Sequence, residues 1–202
     1  GMDVILHFAP PPASGNHDTY TRNLLAALGK SPILPRDWVY ISTSGVYGDY
    51  AGAYIDETAR VQPASARACR RLDAEQQLRT FARRRGIRLC ILRVPGIYAQ
   101  ERSPLARIQA QVPAILAAED SFSNHIHADD LAASVIATLR WGKPGRVYHV
   151  CDDAQWKMGE WFDVVADAAG IARVPRLPRA EVKQRVSPML WSFLAESRRL
   201  SN

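Results

Sequence analysis

Between Trp38 and Gly48 the sequence Trp-Val-Tyr-Ile-Ser-Thr-Ser-Gly-Val-Tyr-Gly changes character in mid-course. Trp38-Val39-Tyr40-Ile41 is apolar, aromatic and β-branched, which is the composition of a buried strand. Ser42-Thr43-Ser44-Gly45 then puts three hydroxyls and a flexible residue where that strand ends. In an open α/β sheet, ligands sit at the carboxyl ends of the strands. Two readings of the hydroxyls stand side by side: turn chemistry, which Ser and Thr commonly supply, and the floor of a site.

The flanking sequence makes this strand part of a βαβ unit. Val4-Ile5-Leu6-His7-Phe8 reads as a strand ended by Ala9-Pro10-Pro11-Pro12, whose prolines can neither continue a helix nor donate to a ladder. From Asp18 to Leu28, Leu24, Leu25 and Leu28 share one helical face, with Asp18 or Thr19 as cap and Gly29 as stop. Strand, helix and strand predict parallel pairing with a right-handed crossover.

Tyr47 to Pro63 is a long polar and aromatic connection of the kind that covers a site. Ala66 to Arg85 reads as a long helix ended by Gly86, and Ile87 to Val94 as a third strand, left through Pro95-Gly96-Ile97-Tyr98. Ser103 to Gln109 predicts a short helix, and Val112 to Phe122 resists assignment. A short strand at Asn124 to His127, a helix over Ala128 to Arg140, a strand at Val147 to Val150 and a helix over Met158 to Ala169 follow. Leu177 to Asn202 is basic and helix-prone, and its Leu190, Trp191 and Phe193 need a surface to cover, as core or dimer contact. There is no internal repeat.

Composition narrows the class. With 202 residues, 47% of them hydrophobic, the chain can bury one core. The net charge of +6 favours anionic ligands without demanding nucleic acid. Cys69, Cys90 and Cys151 are odd in number and widely spaced, so a reducing cytoplasm is expected and no disulfide framework. No apolar run approaches the roughly 20 residues of a membrane span. Gly1-Met2 reads as an added residue before a reading frame and is left out of the fold.

Strand and helix alternation implies a doubly wound α/β sheet. Five separated motifs take the reading further: Ser42 to Gly48 (STSGVYG), Asp56-Glu57-Thr58, Pro63-x-Ser65 leading to Ala74-Glu75, Leu92 to Tyr98 (LRVPGIY) and Ile126 to Ala132 (IHADDLA). In this order they resemble the extended and atypical short-chain dehydrogenase/reductases, the NAD-dependent epimerase/dehydratases, over Asp3 to about Gly170. The resemblance implies a partial Rossmann-like, mostly parallel sheet with a small C-terminal helical substrate-side region. It predicts one domain over residues 1–202, with 1–95 as nucleotide-binding core and 96–202 as mixed core and substrate side. It further implies NAD or NADP as cofactor and a nucleotide-linked or hydroxylated small-molecule substrate, with Ala9, Pro10, Ser42, Thr43, Arg71, Pro95, Gly96 and Tyr98 on the cofactor. For Pro95, Gly96 and Tyr98 a plain strand-exit turn stays open as the other reading.

Two departures set this sequence apart. The family's glycine-rich turn, whose helix N-terminus holds the pyrophosphate, has no counterpart in these residues, and the chain reads as starting at the family's fourth strand. The Val4 strand is then an exposed edge, expected to be covered by a second copy in a homodimer or else frayed. By motif alignment Thr43 matches the substrate-orienting Ser/Thr, whereas Arg67 and Arg71 stand at the positions of the Tyr-x-x-x-Lys pair. A guanidinium has no lone pair to accept a proton, so Arg67 cannot act as the Tyr, while Arg71 can hold ribose or phosphate oxygens. Thr43, Arg67 and Arg71 are therefore the catalytic candidates, with Tyr47, Tyr50 or Tyr98 left to supply a proton.

His125-x-His127-x-Asp129-Asp130 has the look of a metal run without its last ligand, and is read as a strand-to-helix junction with Asp129 or Asp130 as cap; no metal is expected. The arginines between Arg67 and Arg88 are read as a solvated helix face or an anion site rather than a nucleic-acid surface. An epimerase/dehydratase or reductase is thus set against a non-catalytic truncated homologue serving as ligand-binding or oligomeric scaffold. No nucleic-acid or membrane partner is expected.

Overall fold

The computed structural model describes residues 3–202, and the Gly1-Met2 start lies outside them. In chain order the elements are β1 (Val4–His7), α1 (Thr19–Gly29), β2 (Asp37–Thr43), a 3-10 turn (Ser44–Tyr47), β3 (Tyr54–Ile55), α2 (Ala66–Arg85), β4 (Arg88–Val94), β5 (Gly96–Tyr98) and α3 (Leu105–Gln109). There follow β6 (Ala114–Ile115), β7 (His125–His127), α4 (Ala128–Trp141), β8 (Val147–His149), α5 (Met158–Ala168), β9 (Arg176–Leu177), α6 (Arg179–Arg185), α7 (Pro188–Leu194) and β10 (Arg199–Leu200).

β1, β2, β4 and β8 form a parallel sheet in the order β1-β2-β4-β8. Because side chains alternate along a strand, Trp38 and Tyr40 of β2 and Leu89 and Ile91 of β4 face one way, where Leu25 of α1 and Ala74, Leu78 and Ala82 of α2 cover them. Val39, Leu92 and Val94 face the other way, under Leu131 and Val135 of α4. The helices are stopped by local chemistry. Asp18 accepts from the Thr21 N–H at 2.9 Å to start α1, Ser65 caps α2, and Gly86 ends α2 at φ +67°, a left-handed turn that suits glycine.

Several expectations need correction. Gly29 is the last residue of α1, and Lys30 is its cap. His127, not Asp129 or Asp130, caps α4, its Nδ1 accepting from the Asp129 N–H at 3.3 Å. Pro95 to Tyr98 leaves the four-stranded sheet as expected but is not a plain turn: Gly96–Tyr98 pairs in parallel with His125–His127 as a separate two-stranded sheet. The unassigned stretch holds β6, paired with β9. The basic C-terminal stretch is helical only to Leu194, after which β10 pairs with β3. The β1 edge is formed rather than frayed, and leaves Val4, Leu6 and Phe8 exposed.

Candidate active site

A cavity of about 480 Å³ lies beyond the carboxyl ends of β2 and β4. Its floor is the turn from β2, Thr43-Ser44-Gly45, together with Pro95-Gly96-Ile97-Tyr98 beyond β4. The start of α2 gives Arg67 and Arg71; the segment before α4 gives Ser123, Asn124 and His125; α7 and the residues after it give Phe193, Glu196 and Arg198. Arg107 of α3 and Trp161 of α5 close the far side.

Strand alternation divides the hydroxyls. Ser42 follows Trp38 and Tyr40 onto the α2 face, where its Oγ donates to Glu75 Oε1 at 2.6 Å. Thr43 turns the other way, and its Oγ1 accepts from the Gly45 N–H at 3.2 Å, capping the 3-10 turn. That contact uses a lone pair and leaves the Thr43 O–H free to donate to a ligand.

Of the two arginines that the start of α2 gives to the cavity, Arg71 is held and Arg67 is stacked. Arg71 Nη1 donates to the Ile41 carbonyl at 2.9 Å, the Tyr40 hydroxyl at 3.2 Å and the Ala9 carbonyl at 3.3 Å. The guanidinium thereby bridges the ends of β1 and β2 as a fixed cation. Arg67 lies over the Phe193 ring at 4.1 Å. Arg107 lies over the Phe162 ring at 5.4 Å. Burial pushes both Arg67 and Arg107 below the ordinary arginine value, and among the described residues neither has an ion-pair partner. Guanidiniums held on rings rather than in ion pairs make the cavity receptive to anions, with Glu196, which also lines it, the carboxylate that acts on Arg67.

The three candidate tyrosines differ in what holds their hydroxyls. Tyr47 is fully buried, its oxygen accepting from Arg93 Nη1 at 2.8 Å and lying 2.6 Å from His149 Nε2. Tyr50 donates to the Arg60 carbonyl at 2.7 Å. Tyr98 alone lines the cavity, with its ring 5.0 Å from Trp161; burial, then Asp152 and Asp130, raise its pKa above the ordinary tyrosine value. Beside it, His125 stacks on Trp161 at 4.4 Å, and its Nε2 is 3.1 Å from Ser123 Oγ. Desolvation pushes His125 down to about 4, so it is a neutral wall residue at pH 7. Gly96 leaves room for it, because a Cβ there would meet His125 Cδ2 at 3.0 Å.

Of the residues expected to contact a cofactor, Ser42, Thr43, Arg71, Pro95, Gly96 and Tyr98 line this one cavity together with Arg67. Ala9 and Pro10 stand outside its lining; Ala9 contributes the carbonyl that anchors Arg71. A dinucleotide fits these residues at one end. A hydroxyl, a fixed guanidinium and an apolar strand exit suit a ribose and a nicotinamide ring. The α1 N-terminus does not suit a pyrophosphate, because the buried Asp18 carboxylate already takes its amide.

Sequence reasoning named Tyr47 and Glu75 but missed that they join Arg93 and His149 in one buried set behind the floor, and it missed the contribution of Phe193, Glu196 and Arg198 to the cavity. A signal for the first existed: Glu75 sits on the inner stripe of α2 between Leu72 and Leu78, and Arg93 interrupts an apolar strand. For the second there was none, because Phe193 lies in the last turn of a short helix and Glu196 and Arg198 lie in the irregular segment after it, whose place over the site no local pattern gives.

The family profile described as "Epimerase: NAD dependent epimerase/dehydratase family" matches residues 15–151. Among solved structures, a functionally unknown conserved protein from Silicibacter pomeroyi DSS is 28% identical, with a TM-score of 0.81 over 99% of this chain and 68% of that one. A dTDP-glucose 4,6-dehydratase double mutant from Streptomyces venezuelae with NAD bound is 19% identical, with a TM-score of 0.76 over 100% of this chain and 65% of that one. The UDP-glucuronic acid 4-epimerase from Bacillus cereus, in complex with UDP-glucuronic acid and NAD, is 20% identical, with a TM-score of 0.76 over 99% of this chain and 66% of that one. The chain thus spans about two thirds of the length of these proteins. No curated protein matches the sequence.

Proposed function

The chain belongs to the NAD-dependent epimerase/dehydratase family, and from that premise we propose that its cavity takes the nicotinamide end of NAD or NADP together with a hydroxylated, nucleotide-linked substrate carrying negative charge. The observation that carries this reading is the joint lining of one cavity by Thr43, Arg71 and Pro95 to Tyr98, with the unpaired cations Arg67 and Arg107 opposite. A nicotinamide bound at the floor supplies hydride acceptance and return, the chemistry shared by epimerisation and dehydration.

The chain's own residues then have distinct tasks. Thr43 donates its free O–H to a substrate oxygen, while its lone pair stays on Gly45. Arg71, pinned through Nη1, offers its remaining N–H groups to ribose or phosphate oxygens. Arg67 and Arg107 draw in the anionic end. Tyr98 is the proton-transfer candidate, since its hydroxyl is the one of the three that lines the cavity, although burial raises its pKa and makes it a weaker acid than an ordinary tyrosine. A homodimer over the exposed β1 face belongs to the same reading, and light scattering checks it.

A second reading, a ligand-binding scaffold without turnover, is favoured by Arg67 standing at the proton-transfer position and lying on Phe193. Fluorescence titration with NADH and NADPH, on the chain and on Arg71→Ala, tests the first. Saturable binding weakened about tenfold by the substitution supports it. No binding at about 1 mM cofactor rules out nicotinamide-dependent activity of this chain. Binding without turnover of nucleotide-linked sugars selects the scaffold.

A further inference from the structure

Behind the cavity floor a chain of buried polar groups runs across the sheet on its α2 face, from β2 to β8. Ser42 Oγ donates to Glu75 Oε1 at 2.6 Å, and Arg93 donates to the same carboxylate through Nε at 3.1 Å and Nη2 at 2.7 Å. Arg93 Nη1 donates to the Tyr47 oxygen at 2.8 Å. Tyr47 and His149 Nε2 are 2.6 Å apart, and His149 Nδ1 is 2.7 Å from the Ser201 carbonyl. A carbonyl only accepts, so Nδ1 carries the hydrogen and Nε2 must accept from the Tyr47 O–H. Every link then has one donor and one acceptor, and Glu75, Arg93, Tyr47 and His149 are all buried.

The two ends of this chain are parts of the site. Ser42 continues into the floor residues Thr43 and Ser44. Ser201 belongs to the segment whose Phe193, Glu196 and Arg198 form a cavity wall. That segment is seated by contacts of its own: the Leu200 N–H donates to Asn124 Oδ1 at 2.9 Å, the Ser201 N–H to the Ile55 carbonyl at 2.9 Å, and the Arg199 guanidinium lies over Tyr54 at 3.9 Å and Phe122 at 4.7 Å.

We propose that His149 is a positioning residue that couples the seating of residues 196–201 to the placing of the hydroxyl floor, through Tyr47, Arg93, Glu75 and Ser42. The coupling goes beyond the reaction proposed above and does not depend on it. Only a neutral His149 serves. A proton on Nε2 removes the lone pair that Tyr47 needs, so acid breaks the chain at that link. Burial resists this proton and Arg93 of β4 repels it, while the Ser201 carbonyl, Glu57 and Asp56 favour it, with a net fall below the ordinary histidine value. Glu57 also holds the strand itself, accepting from the His149 N–H at 3.0 Å.

Amide hydrogen exchange in a double-mutant cycle tests the coupling. Arg199→Ala loosens the seated segment by removing the stacking on Tyr54 and Phe122. In the otherwise unsubstituted chain it is expected to raise exchange about tenfold at residues 196–201 and also at residues 42–48. With Tyr47→Phe present, the effect at 196–201 remains and the effect at 42–48 disappears. Should Tyr47→Phe not fold, Ser42→Ala breaks the chain at its other end and takes its place in the cycle. In the chain without substitutions, lowering the pH from about 7 to about 5 is expected to reduce the protection of both segments together, after correction for intrinsic exchange. An equal effect of Arg199→Ala in both backgrounds, or no effect at 42–48 in either, overturns the proposal.

Discussion

Two polar regions lie on either side of the same strand ends, and they are finished differently. Behind the floor, Glu75, Arg93, Tyr47 and His149 satisfy one another completely. In front of it, Arg67 and Arg107 have rings beneath them and, among the described residues, no ion pair. A buried charge that is paired and hydrogen-bonded holds a structure together, whereas a half-buried one left open is a place for something else to bind. The difference separates the part of this site that positions from the part that receives.

The largest effect should come from spoiling the closed region. Glu75→Ala leaves Arg93 buried without its counter-charge and should cost about 3–5 kcal/mol in urea unfolding. Replacing both partners, as in Glu75→Leu with Arg93→Met, should cost much less, because no charge is then stranded. If the single and double replacements cost the same, the pair is not the unit described.

Next in size is an acid effect on the border between the regions. His125 folds with its pKa near 4 against an ordinary 6.5, so it binds its proton more readily when the chain is unfolded. Its stabilising contribution is complete above about pH 6.5 and is lost as pH falls from there to 4, by at most about 3 kcal/mol. His125→Phe can keep the stacking on Trp161 and should flatten that part of the stability curve. An unchanged acid slope in this variant would assign the slope elsewhere, with His149, whose pKa is also lowered by burial, as the first alternative.

The smallest structural effect should be in the open region. Arg107→Met should change stability by no more than about 0.5 kcal/mol, since no ion pair is broken. The same variant should weaken binding of the anionic, nucleotide-linked ligand proposed above about tenfold and leave it less dependent on salt, by calorimetry. A large loss of stability with unchanged binding would move Arg107 to the structural side.

Much of this was legible in the residues. α2 could be bounded to the residue because Ser65 and Gly86 are strong local signals, and of the two readings of the hydroxyls at the end of β2, turn chemistry is seen in the cap that Thr43 makes, while their lining of the cavity leaves the other open. The cap of α4 was misread because acidic residues near a helix start are the usual signal, and the histidine two positions before Asp129 took the role. The direction of Ser42 followed from strand alternation, but its partner Glu75 could be found only once α2 was laid on that face. The stacking of Arg67 on Phe193 depends on where α7 packs, which no local pattern in either segment announces.

The wall of the cavity also bears on how the molecule reaches its folded state. Arg198 donates to the Gly48 carbonyl across 150 residues of intervening chain, and the β3–β10 pair joins segments just as remote. Loop-closure entropy delays such contacts until the sheet between them exists, so the cavity should be among the last features to form and the first to open. A ligand touching both floor and wall would act as a tether between distant parts of the sequence, and its binding should be visible as slower unfolding as well as in affinity.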